Sequence, residues 1–325
     1  MNNINENPKK KHRQSVEVWK RFKKNPIAMA GLVIIIMMFI LAAIADWVAP
    51  GTDIDPGYDI QRLQAHYRRQ FPGRNEVTGE MHLMGTDHLG RDIFARIAHG
   101  SRITLLVGFV VVSIAMTVGV ILGSVSGFYG GITDNVIMRI VDIILAMPTI
   151  LLAIAISSAL PSWGIYNIMI AVGFGAIPGY ARLVRAQVLS IKEQEFIEAA
   201  RSIGANDFRL IRKHILPNCM APVIIEATMG MAGAIASAAA LSFLGLGIQA
   251  PTPEWGALLS VGREWMLPGY WHMTLFPGVA IALIIFSLNM MGDGLRDAFD
   301  PRLRSAGFSK KKFRKILKAK GKEVA

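Results

Sequence analysis

Six blocks of about 20 residues, each nearly free of charge, constrain this chain more than any other feature. They run from Ile27 to Ala45, Ile103 to Val125, Val136 to Leu160, Ile165 to Leu183, Ala221 to Leu244 and Met273 to Met291. A helix rises about 1.5 Å per residue, so each block is long enough to cross the roughly 30 Å hydrocarbon core of a bilayer. A surface helix of a soluble protein needs only one apolar stripe. These blocks are apolar around most of their circumference. The expected fold is an all-α integral membrane protein with six transmembrane helices. The third block is the least regular, because Arg139 and Asp142 lie in its first turns and Pro148 sits midway. Only Pro161-Ser162-Trp163-Gly164 separates it from the fourth, a turn sequence that forces a tight helical hairpin.

A net charge of +12 over 325 residues could suggest nucleic acid, but the charge is sorted by loop. Of the 35 Lys and Arg, 26 lie in the N-tail (residues 1–26), the loop from Ala181 to Asn218 and the tail after Met291. All fifteen lysines are among them. An excess of Lys and Arg marks the cytoplasmic side, so both termini and that loop are expected there. Residues 46–102 then form an extracytoplasmic segment, turn-rich at Asp53-Ile54-Asp55-Pro56-Gly57 and Phe71-Pro72-Gly73. Near its end, Ile93, Phe94, Ile97 and Ala98 suggest an amphipathic helix over Arg91–Arg102 lying on the outer interface. The core runs from 103 to 291, with its long loop at 184–218. The tail 292–325 ends in a basic run from Lys310 to Lys322, suited to anionic lipid.

Several classes of chemistry find no support. The single cysteine, Cys219, cannot form an internal disulfide, and no Cys/His cluster suggests a metal. No G-x-x-x-x-G-K-[ST] phosphate loop is present, so no cofactor is expected and any nucleotide must be bound by another chain. Hydroxyls, histidines and carboxylates form no readable catalytic set. The first apolar block follows a 26-residue polar tail with no small-residue cleavage pattern, so it reads as a retained anchor.

The loop carries the most information. Ser190 and Glu193 have the spacing of a capping box, and Phe196, Ala199, Ala200 and Ile203 then share one helical face. Gly204 stands where helices commonly end in a left-handed residue. Asn206 or Asp207 can cap a second helix, with Phe208, Ile211 and Ile215 on its apolar side and Pro217 ending it. Such a pair could pack on the chain's own helix ends or serve as a docking surface; periodicity alone leaves both open.

Glu198-Ala199-Ala200, then Gly204, then Leu216-Pro217 resemble the loop of binding-protein-dependent importer permeases of the ATP-binding cassette class, with His214 at a position where that pattern has isoleucine. Gly85-Thr86-Asp87-His88-Leu89-Gly90-Arg91-Asp92 resembles the signature of the C-type permeases in oligopeptide, dipeptide and nickel importers. So do Leu241–Gly247 with Pro251–Gly256, and Gly292–Asp297 ending in Asp300-Pro301-Arg302. Relatives often carry an acid shortly before the Leu241 segment; here Ser237–Ala240 is neutral. The resemblance implies a type I importer permease whose loop docks an ATPase through Glu198, Ala199, Ala200, Gly204, Leu216 and Pro217. It implies as partners a second, related permease, two ATPases and an external solute-binding protein. The implied solute is a peptide, with a nickel chelate or other small solute as the alternative. A secondary transporter or channel would instead show inverted repeats and several mid-span charges.

Within the spans, Arg139 and Asp142 stand three residues apart and can pair with each other. Glu226 faces either the aqueous path or a residue of the second permease. Gly230, Gly233, Ala234 and Ser237 form a small-residue face suited to close packing, within the chain or between permeases.

Overall fold

The computed structural model describes residues 16–49, 67–74, 79, 81–160, 165–248 and 252–300. The first fifteen residues, the turns expected at Asp53–Gly57 and Pro161–Gly164, Pro251, and the C-terminal basic run lie outside them. The helices are α1 (Pro26–Val48), α2 (Ile93–Tyr129), α3 (Gly131–Ala146), α4 (Thr149–Ala159), α5 (Ile165–Lys192), α6 (Glu195–Ser202), α7 (Asp207–Phe243), α8 (Trp255–Met266) and α9 (His272–Phe299). A short antiparallel hairpin, β1 (Gly73–Arg74) with β2 (Met81–His82), precedes α2.

Five helices, α1, α2, α5, α7 and α9, are long and apolar enough to cross a membrane. α3 and α4 pass that test only as a pair, and the pair is bent by 94°, as a broken span or a re-entrant loop would be. The continuous span expected at Val136–Leu160 is therefore broken. Pro148 has no N–H and biases Met147 away from the helical region, where it sits at φ −90°, ψ 132°. The paired charges also differ from expectation. Asp142 accepts from Arg182 of α5 at 2.5 Å, and Arg139 is exposed.

The α1 start shows how local sequence sets an element. Asn25 accepts hydrogen bonds from the N–H groups of Ile27 (3.1 Å) and Ala28 (3.2 Å), and Pro26 follows it. Ala28, Gly31, Ile35, Ala42 and Ala45 face the bundle, while Ile36, Phe39 and Ile40 are exposed. In a chain of this composition that outer face suits lipid.

The tightest packing joins α2 to α5. A Cβ on Gly119, Gly123 or Gly127 would overlap Tyr180, Ala181, Val184 or Val188. The four-residue spacing of these glycines lets the backbones meet, the small-residue device of membrane helices. Span five was the expected place for such a face, and it is only partly used. Gly230 lies against the Tyr180 hydroxyl and Ala234 is buried, but nothing lies within 4 Å of a Cβ placed on Gly233.

The Arg91–Arg102 segment is not a surface helix. It is the first stretch of α2, capped by Asp92, whose carboxylate accepts from Ala95 N–H at 3.0 Å. Ile93, Ile97 and Ala98 are buried there, and Trp255 donates to the Ile97 carbonyl at 3.0 Å. Helix direction and contacts place the start of α1 and the end of α9 at one end of the bundle, where Gly294 meets Ala28. The ends of α2 and α5 lie at that end too, with Lys192 Nζ donating to Gly127 O at 3.0 Å.

Candidate functional site

The loop between α5 and α7 begins later than its sequence suggests. Ser190 lies inside α5, where the backbone N–H groups are already bonded within the helix, so it caps nothing. The next helix is α6, with Gln194 in the cap position. Glu195 and Glu198 occupy its first turns and Arg201 its last, each favourable to the helix dipole.

Gly204 ends α6 as expected, at φ +85°. Gly204 N–H bonds to Arg201 O (2.9 Å) and Ala205 N–H to Ala200 O (3.1 Å), the bond pair of a Schellman turn. Asn206 then caps the next helix by accepting from Arg209 N–H at 2.9 Å. Pro217 does not end that helix. Residues Leu210–Ile215 form a π segment, and Leu216 N–H bonds five residues back to Ile211 O. The widened turn takes up Pro217, which has no N–H to contribute, and α7 continues to Phe243.

The two faces of α6 are both apolar, and they do different things. Ile197 and Ala200 are buried with Val188 and Ile191 of α5 and with Leu210 and Ile215 of α7. Phe196, Ala199 and Ile203 point outward, with Ile203 87% exposed. The expected stripe is therefore split: only Ala200 belongs to the inner side. Sequence reasoning missed Ile197, the inner anchor, whose i, i+3 spacing to Ala200 was the available signal. Phe208 is 70% exposed rather than packed inward, with the Arg212 guanidinium 6.0 Å above its ring. Of the other loop residues, Glu198 and Pro217 are exposed and Leu216 is half-buried. Glu198, Ala199, Gly204, Phe208 and Pro217 are thus each exposed, and Ala200 is buried.

Glu226 stands apart, exposed on α7, and its carbonyl accepts from the Tyr180 hydroxyl at 3.3 Å. Among the described residues no group of three or more His, Cys, Asp or Glu could hold a metal ion.

The Gly85–Asp92 motif lies at the opposite end and points inward. Asp87 accepts from Leu89 N–H (2.8 Å), Arg91 N–H (3.0 Å) and Arg91 Nε (2.6 Å), all buried or nearly so. His82 Nδ1 lies 2.7 Å from Asp92, and His272 donates to Thr86 O at 3.1 Å. Burial holds the His88 imidazole below its usual pKa. In the Pro251–Gly256 motif, Glu254 accepts from the N–H groups of Gly256 and Ala257 at 2.9 Å each, and burial pushes its carboxyl pKa up. In the third motif, Asp297 accepts from Asn25 Nδ2 at 3.4 Å, tying α9 to the cap of α1.

Known proteins bear on both ends. The model of the binding-protein-dependent transport system inner membrane component matches residues 119–305, and that of the N-terminal transmembrane domain of oligopeptide transport permease C matches 14–65. The chain is 44% identical to the dipeptide transport system permease protein DppC of Alkalihalophilus pseudofirmus, over 89% of this chain and 90% of that one. It is 41% identical to the di/tripeptide transport system permease protein DppC of Pseudomonas aeruginosa (89% and 93%) and 43% identical to the glutathione transport system permease protein GsiD of Escherichia coli (89% and 90%). A chain of the inward-facing MetNI methionine ABC transporter shares its fold, with a TM-score of 0.51 at 22% identity, covering 63% of this chain and 97% of that one. The fold is that of a type I ABC importer permease. This chain belongs to the binding-protein-dependent transport system inner membrane components, as a multi-pass, non-catalytic permease subunit of an ABC transporter.

Proposed function

We propose that this permease forms, with a second homologous permease, a translocation path for di- or oligopeptides, and that ATPases docking on the outer surface of α6 and the start of α7 drive it. One observation carries the docking: Phe196, Ile203 and Phe208 are exposed on a helix pair whose other side is locked into the core. Large apolar side chains held outward on a loop whose other side is fixed suit a surface that a partner covers. The alanines let a partner approach closely, and the Gly204 turn fixes the angle between the two helices. The lysine distribution supports a cytoplasmic loop and termini. The dipeptide, di/tripeptide and glutathione names of the relatives support a peptide solute, delivered by an external binding protein. Glu226 then lines the path or meets the second permease.

Affinity purification of the full chain from its native membranes tests the reading. A cytoplasmic ATPase and a second six-span permease should co-purify, and the ATPase should be lost with Glu198→Lys while the chain stays in the membrane. Recovery of the chain alone, or an unaltered ATPase yield with Glu198→Lys, would overturn it.

A further inference from the structure

We infer that Arg185 and Arg182 of α5 are positioning residues that make the docking loop and the broken span α3–α4 move as one unit, an inference that rests on the proposed docking of an ATPase. Apolar packing holds α3 to the bundle only lightly. Of its 16 residues only Val141 is buried, with Ile137, Met138 and Ile144 half-buried, and Ile132, Val136, Ile140 and Ile143 face outward. Charge adds the directional ties. Arg185 Nε and Nη2 each donate at 2.6 Å to a different oxygen of Asp134, and the Ser126 hydroxyl at the end of α2 donates to the same carboxylate. Further along, Arg182 Nη2 donates to Asp142 at 2.5 Å.

A bidentate guanidinium–carboxylate pair fixes orientation as well as distance. Asp134 and Asp142 are about 12 Å apart along α3, whereas Arg182 and Arg185 are only about 4.5 Å apart along α5. The two arginines therefore splay to reach both carboxylates. One attachment would be a pivot; two attachments fix the angle. On the other side of this clamp, α5 ends at Lys192 and α6 begins at Glu195. Ile197 and Ala200 of α6 pack on Val188 and Ile191 of α5. A displacement of α6 is thus carried by apolar packing into α5, by the arginines into α3, and so to the bend at Met147-Pro148. The ion pairs are the one part of that route that substitution can cut without touching the docking surface or the bend.

The test uses the whole transporter in proteoliposomes, with ATP hydrolysis and uptake of a labelled dipeptide measured together. Arg185→Ala should still bind the ATPase and permit hydrolysis, while uptake per ATP falls roughly fivefold or more. The exchanged pair, Arg185→Asp with Asp134→Arg, should restore most of that ratio. Loss of a merely structural contact would lower protein yield without changing the ratio. A parental ratio in Arg185→Ala overturns the inference, as does an exchanged pair that accumulates normally but stays uncoupled. If Arg185→Ala fails to accumulate, Arg182→Ala decides, because its pair is about half exposed (55% and 49%). A parental ratio there overturns the inference, and a lowered ratio upholds it. If the parent complex itself recovers no ATPase, it is the docking reading that fails.

Discussion

The two ends of the bundle handle charge in opposite ways. Around Gly85–Asp92 the charged side chains are buried: Asp87, Arg91, Asp92 and Arg96 are each less than a tenth exposed, with Arg91 hydrogen-bonded to Asp87 and His82 to Asp92. At the α6 loop the large apolar side chains are exposed, and the charged residues surround them in solvent. Burying charge is unfavourable unless it is paired, so the first arrangement depends on pairs such as Asp87 with Arg91. Exposing Phe and Ile is unfavourable unless something covers them. The first end pairs its charges within the chain, and under the proposed docking a partner covers the apolar side chains of the second. Two motifs that look alike as family signatures therefore have different physical meanings.

The largest expected effect lies at the finished end. Asp87→Ala leaves Arg91 buried without its carboxylate and removes the acceptor of two backbone N–H groups. Breaking such a pair from one side destabilises by about 3–5 kcal/mol. The variant should reach the membrane at much reduced levels, and its detergent-solubilised form should unfold at lower temperature. Normal accumulation and an unchanged melting temperature would mean that this motif is not structural, and the contrast between the ends would collapse.

How much of this was legible in the sequence also divides by region. Five spans, the Gly204 turn and the Asn206 cap follow from local rules, because apolar length, a left-handed glycine and a capping side chain act within a few residues. Pro148 was visible, yet its consequence was not. A proline within a span can kink or break it, and local sequence does not fix the angle, here 94°. Asp142 has a sequence neighbour in Arg139, but Arg182, forty residues away, reaches it across the helix interface. The inner and outer faces of α6 could not be separated from periodicity, since Phe196 and Ile197 are adjacent and equally apolar. Which one is buried is decided by Val188, Ile191 and Ile215, which the fold brings there. For the same reason Arg91–Arg102 reads as an interfacial helix until Trp255 covers it.

A smaller effect on stability, with a larger one on function, is expected at Gly204. Nothing lies within 4 Å of a Cβ placed there, so Gly204→Val meets no clash and is opposed only by the backbone at φ +85°. The strain is about 1–2 kcal/mol, too little to prevent insertion of the spans and enough to re-aim α6. The chain should accumulate at near-parental levels while uptake is lost and ATPase association falls. Lys318→Ala in the C-tail serves as the control and should change neither. Parental uptake by Gly204→Val would remove the docking role from this loop.

The smallest expected change in stability is the sharpest probe of the contrast. Phe208 is 70% exposed, so truncating it to alanine removes little packing from the chain itself. Exposed substitutions of this kind alter stability by about 0.5 kcal/mol or less. An aromatic side chain that enters a partner's pocket, by comparison, is often worth about 2 kcal/mol of binding, or roughly thirtyfold in affinity. Phe208→Ala should therefore melt with the parent protein yet bind the purified ATPase at least about tenfold more weakly in a titration. The combination matters more than either number. A lowered melting temperature with unchanged binding would place Phe208 in the permease's own packing, as Ile197 is, and the loop would then be an end finished within the chain like the other.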